Sequence, residues 1–436
     1  MLLGVSNQYF YYTRTGNSSF ECNLKIEFNE KVHQEKFKGA ACRALKLYPE
    51  LSARTVIKDK KLSVVPNDEP PVFIPDDGTR ITLGGDASNG HLFYFRMGEH
   101  SAAMPFYHGL TDAHGALTYL KTVLLFYYED MGYDIGEENK RELLKVIRVK
   151  EEDIPSGDEN DRWDPYRKYG DPLAKPEWSY DFPKAFGMDI PLYPEGGADV
   201  HKYVAELKTS DFLAKTKEHG VSFVPYLVDV VSGGIHRHMK AGSLPVVTMV
   251  PADMRSLFGT QTLVNFSDAM FFPWYEEYEK LSVQERCDII KSQMMKQRQA
   301  DNFRLMMAGK CSEVDGLIGS DRLSELTGEK PAAEKKAAPA PRRLTYAISY
   351  PGKMDLGYGF DEKILDFYCD VTVNTSSIIV MTYRDSMKIL VIQRSDDRTF
   401  PETIIKALED AGIPASLRDL SLDRPDILDF DALKRV

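Results

Sequence analysis

His108 and Asp112 stand four residues apart in "AMPFYHGLTDAHGALTYLKTVLLFYYED", Ala103 to Asp130, in a run otherwise apolar and small. A neutral imidazole with a pKa near 6.5 can take a proton from an alcohol or amine as that group attacks a carbonyl. A carboxylate at a helix start is favoured by the helix dipole and can pair with an arginine from elsewhere in the chain. The competing reading is a His and an Asp that only cap the helix, and HxxxD spacing alone does not decide between the two. The flanking Gly109 and Gly115 favour the first, because small residues let the backbone turn tightly and a ligand come close.

The elements around the pair follow from periodicity. After Asp112, Leu117, Leu120, Val123, Leu124 and Tyr127 share one stripe, which predicts a strongly packed helix. Upstream, residues 19–29 alternate like a half-buried strand. Phe37, Ala41, Ala44, Leu45 and Tyr48 form a helical face that Pro49 ends. Residues 52–66 give two strands around a Lys-Asp-Lys turn, and residues 92–98 another strand. The second half repeats the grammar, with a strand at 199–208, a helix closed by Gly220, a longer helix to Gly242, and a buried strand at 245–255. Ser282 and Glu285 form a capping box that opens a helix running to about Ala308. Two strands over 376–395 and a helix over 400–412 follow. Residues 150–187, rich in Pro, Trp and Tyr, read as a connecting segment or long surface loop. The Ala/Pro/Lys stretch at 327–343 cannot bury a core and lies in a mobile loop spanning about 311–343.

The bulk properties narrow the function. At 436 residues the chain predicts two domains or lobes, divided here as 1–185 and 186–436. A net charge of −11 argues against a nucleic-acid partner, since phosphate contacts need a basic surface. Five cysteines without a close pair fit a reduced, cytoplasmic protein. No segment has the length of a membrane span. No phosphate-binding glycine loop occurs, and the His236/His238 pair, two apart on a helix, does not converge on a metal; a solvated helix end is the reading there. His114 reads as a half-exposed residue of the first helical turn.

The segment "YHGLTDA" resembles the HxxxD signature shared by chloramphenicol acetyltransferase, dihydrolipoyl acyltransferase cores, nonribosomal condensation domains, plant BAHD acyltransferases and alcohol acetyltransferases. Other stretches agree in order: "ACRALKLYPELSAR", "DPYRKYGDP", "TMVPADMRSLFGTQTLVNF" with a P-x-D-x-R … T-x-x-N-F pattern, and "AISYPGKMDL". The nearest likeness is to bacterial alcohol acetyltransferase-like proteins. The resemblance implies an α/β fold of two related lobes, mixed sheets flanked by helices, with an active-site tunnel between them. It implies an acyl group such as acetyl passing from acyl-CoA, a co-substrate, to a small-molecule alcohol, with no resident cofactor, no metal and no covalent intermediate. His108 would be the base and Asp112 structural, with Arg255 as its clamp and Arg43 and Arg54 as rivals. Ser349 would face the oxyanion, and Asn265 and Tyr107 would line the channel. Tyr107 replaces the first His of the paired HHxxxDG form, and Ala113 replaces its Gly. Two other functions stay open: ester or amide formation from a thioester on a carrier protein, and a non-catalytic ligand-binding homologue.

Overall fold

The computed structural model describes the chain except residues 14–19, 157, 178, 180, 182, 189–199, 331–342, 352–357, 372–375, 394 and 424–436. Two mixed sheets with flanking helices carry the architecture. The first has five strands in the order Ile364–Val371, Glu21–Phe28, Ser101–Tyr107, Phe95–Met97, Phe73–Pro75. The second has seven, in the order Ser416–Asp423, Val200–Lys208, Ser386–Gln393, Ser377–Tyr383, Tyr346–Ser349, Val246–Asp253, Ser267–Trp274. Strands Arg54–Lys58 and Lys61–Val65 form a separate hairpin. Its turn places Asp59 (φ 51°) and Lys60 (φ 60°) in the left-handed region, as a tight two-residue turn requires.

The strand that enters the site, Ser101–Tyr107, is antiparallel to Glu21–Phe28 and is buried along nearly its whole length. The chain then turns at His108–Thr111 into the helix Ala113–Asp130. That helix buries Ala116, Tyr119, Leu120, Val123 and Leu124 against the helix Gln34–Leu45. Ala40, Ala41 and Ala44 on the facing side are small enough for close approach, and the Tyr119 hydroxyl donates to the Ala41 carbonyl at 3.1 Å. Among the described residues no helix is long and apolar enough to cross a membrane.

Several expectations are corrected. Strand Ile364–Val371 belongs by sequence to the second half, yet it pairs with Glu21–Phe28 in the first sheet. A cut at residue 185 therefore does not separate the two sheets. The stretch from residue 311 is not a loop at its start: the helix Ala300–Ile318 runs through it and a short helix, Arg322–Leu326, follows. Residues 331–342 of that stretch lie outside the described residues. The helix opened by Ser282 has the expected capping box but stops at Gln297. Gln299 takes an extended ψ of 145° before the next helix begins. Residues 150–187 contain the short helices Glu159–Trp163 and Pro165–Tyr169, and Tyr166 is fully buried. His236 is not solvated. It is buried against Trp274 and its Nε2 lies 2.9 Å from the Gly242 carbonyl, whereas His238 meets Asp410.

Candidate active site

Asp112 is the N-cap of the helix Ala113–Asp130, and its Oδ1 accepts the Gly115 N–H at 3.1 Å. The other oxygen accepts the Phe266 N–H at 3.1 Å. Arg255 Nη2 approaches both oxygens, at 3.0 and 2.9 Å. Arg255 is itself gathered by its own loop: Nε donates to the Thr262 carbonyl at 2.7 Å, Nη2 to the Val264 carbonyl at 2.8 Å and Nη1 to Asp253 at 3.1 Å. Asp112 and Arg255 are 7% and 5% exposed, so the pair sits in a low-dielectric setting where each needs the other. Burial pushes the Asp112 pKa up, but Arg255, His114 and the two backbone N–H groups outweigh it and hold the carboxyl below its usual range. The rival cations are elsewhere: Arg43 pairs with Asp130 and Arg54 packs beside Gly90.

This network fixes the loop that carries His108. A Cβ on Gly115 would come within 2.2 Å of Thr111 Oγ1 and 2.4 Å of the Leu263 carbonyl, so only glycine admits the loop 255–266 this close. Thr111 Oγ1 also donates to the Leu263 carbonyl at 2.5 Å. Ala113 is the first residue of the helix and does not take a positive φ, so the site tolerates a side chain at that position.

The His108 ring is half-buried and stacked on Phe10, with centroids 4.7 Å apart. Its Nδ1 lies 3.2 Å from the Thr111 carbonyl and 3.1 Å from Asn265 Nδ2. The carbonyl can only accept, so it favours the tautomer with the proton on Nδ1. The Asn265 amide can rotate to present its oxygen, and the Ser267 hydroxyl, 3.0 Å from Asn265 Oδ1, can donate or accept to match. In that tautomer Nε2 carries the lone pair, and among the described residues it takes no hydrogen bond. Burial pulls the His108 pKa below its ordinary 6.5, and the Asp112 charge and nearby carbonyls only partly offset this, which favours the neutral ring at pH 7.

His108 borders a cavity of about 640 Å³ walled mainly by strands of the second sheet and by the helices Val5–Tyr12 and Ala300–Ile318. Ser349, at the end of strand Tyr346–Ser349, and Asn265 line it as well. Tyr107 does not. Successive strand residues face opposite ways. Tyr107 is 0% exposed and its ring meets Tyr11 at 5.0 Å, inside the first core. His114 stays half-exposed, with Nδ1 3.6 Å from Asp253 Oδ2. Phe10 had no signal in the sequence, because the eight-residue helix Val5–Tyr12 that delivers it has no clear apolar period. Asp253, by contrast, lies within the quoted P-x-D-x-R stretch.

Solved structures with the same arrangement of elements are numerous. TRI101 of F. sporotrichioides, solved with coenzyme A and T-2, superposes with a TM-score of 0.62 at 11% identity, over 95% of this chain and 99% of that one. Polyketide synthase associated protein 5 of Mycobacterium tuberculosis gives 0.61 at 15% identity, over 94% and 96%. The first condensation domain of the CDA synthetase gives 0.56 at 10%, over 95% and 97%. This is the chloramphenicol acetyltransferase-like fold. No protein-family model and no curated protein matches the chain. In this fold the His108 imidazole opens on a cavity, and the anchored Asp112 carboxylate closes the loop that carries it.

Proposed function

We propose that the protein is an acyl-CoA-dependent acyltransferase that moves an acyl group such as acetyl to an alcohol. The acceptor O–H gives its proton to His108 Nε2 as its oxygen attacks the thioester carbonyl. A tetrahedral oxyanion forms, and Ser349, which lines the same cavity, is the candidate donor for it. The intermediate collapses, the C–S bond breaks, and the imidazolium returns the proton to the departing thiolate. Asp112 and Arg255 take no proton; they hold the His108 loop in place. Base catalysis of this kind is worth roughly 10²- to 10⁴-fold.

One observation carries the reading. The His108 ring borders the cavity with Nδ1 held at a backbone carbonyl and, among the described residues, no hydrogen bond at Nε2. The neighbour solved with coenzyme A supports the choice of donor. The test is release of free thiol from acetyl-CoA in the presence of mixed alcohols. His108→Ala should lose that release while still binding coenzyme A. Equal turnover in the variant would remove His108 from the mechanism. The condensation-domain neighbour favours a carrier-bound thioester as a second donor. Turnover of a phosphopantetheinyl carrier with none of free acyl-CoA would select it.

A further inference from the structure

The wall of the His108 cavity is mostly apolar, with Phe10, Phe20, Met249, Phe271, Met306 and Ile379 contributing. The charged side chains in that wall among the described residues are Asp268 and Lys310. They face each other: Lys310 Nζ, from the helix Ala300–Ile318, is 3.2 Å from Asp268 Oδ2 on strand Ser267–Trp274. Asp268 is buried, and its Oδ1 accepts the Ala269 N–H at 2.8 Å. The Lys310 ammonium also lies over the faces of Tyr9 and Tyr166, 5.0 and 5.3 Å from their centroids. Both charges are thus positioned from several sides, and together they add no net charge to the wall.

Such a wall discriminates by charge. A ligand carboxylate drawn toward Lys310 meets Asp268 beside it, and a ligand ammonium drawn toward Asp268 meets Lys310. Either would also lose water to an apolar surface without gaining a free partner. An uncharged chain meets neither penalty. The reaction proposed above sends the acceptor's proton to Nε2, so the acceptor is the partner that enters the space the ring borders. A cavity of about 640 Å³ is some twenty times the ~30 Å³ share of one water, which is room for a medium-length chain beside the reacting thioester.

We propose that the Asp268–Lys310 pair is the specificity determinant of this cavity, restricting it to uncharged, largely apolar acceptors. The assignment of the acceptor rests on the transfer reading; the charge selectivity of the cavity does not.

The experiment compares 1-alkanols of four to ten carbons with ω-hydroxycarboxylates of the same lengths. Each compound is measured as an acceptor with acetyl-CoA by thiol release, and as a ligand by titration calorimetry without coenzyme A. In the wild type the alkanols should be favoured at every length. Their kcat/KM should rise about 4-fold per added methylene until the cavity is full. Asp268→Asn leaves the Lys310 ammonium uncompensated and should improve the ω-hydroxycarboxylate at least 10-fold relative to its alkanol. Lys310→Met should do the same for ω-amino alcohols. A pair that serves only to hold the helix to the strand would lower all compounds alike and leave these ratios unmoved; that outcome, or a wild-type preference for the charged series, overturns the proposal. Binding ratios that follow the expected order with no thiol released from any mixture would keep the selectivity and remove the transfer reading. Turnover with ratios indifferent to charge would do the reverse.

Discussion

Replacing Arg255 by Met strands the Asp112 carboxylate. The guanidinium makes two approaches to Asp112 and also donates to the Thr262 and Val264 carbonyls and to Asp253. Removing one partner of a buried ion pair costs about 3–5 kcal/mol. Asp112 keeps the Gly115 and Phe266 N–H groups, which places the expected loss near the lower end, about 3 kcal/mol. The measurement is a double-mutant cycle in urea at pH 7 with Arg255→Met, Asp112→Asn and the double variant. The double variant strands no charge and should recover about 1–2 kcal/mol of the summed losses. The acid side adds a check on sign. In the wild type the Asp112 pKa lies below its ordinary 3.8, so the unfolded chain takes up the proton first. Its contribution to stability is full above that ordinary value and is lost as pH falls through the folded value. In Arg255→Met, burial acts with its main opponent gone and moves the carboxyl pKa upward from its wild-type position. The gap to the unfolded value changes in that direction, so the stability this group loses as pH falls is smaller than in the wild type. A single-variant loss below about 1 kcal/mol, the size of an exposed pair, together with an additive cycle would refute the argument.

The other consequences concern the ring and its loop. Because burial lowers the His108 pKa, the acid limb of kcat/KM should fall below pH 6.5, with rate lost as the base protonates on going down in pH; a limb above 6.5 would contradict the desolvation argument. Phe10→Ala removes the stacked ring, readmits water to the imidazole and should move that limb up toward 6.5, as read from the pH profile, while a merely structural defect would lower the plateau and leave the limb in place. Gly115→Ala drives a methyl into Thr111 and the Leu263 carbonyl and should cost about 1–3 kcal/mol of stability in urea; a neutral result would show that the loop 255–266 can give way.

How much of this was readable in advance differs residue by residue. The helix after Asp112, its N-cap, and the Ser282–Glu285 box rest on hydrogen bonds and periodicity within a few residues, and these are written in local sequence. Arg255 was named as the clamp from its place in the P-x-D-x-R stretch, with Arg43 and Arg54 as rivals that the sequence could not dismiss. The choice is made by a contact spanning 143 residues. Tyr107 was misjudged because the residue before a base looks as near the chemistry as any neighbour, whereas the alternation of the strand turns it into the core. The break at Gln297 was invisible because neither Pro nor Gly marks it.

The sequence by itself determined that a histidine and a carboxylate would stand at a strand-to-helix junction, with glycines small enough for another segment to come close. Those are properties of neighbouring residues and of the bonds they make within one turn. Only the tertiary structure decided which cation holds Asp112, which aromatic covers His108, and that residues 364–371 cross back to the first sheet. It alone set Asp268 against Lys310 in the wall beside His108. Each of these depends on bringing together segments tens to hundreds of residues apart. The free energy that does so comes from the burial of whole sheets and helices, and no short stretch records it.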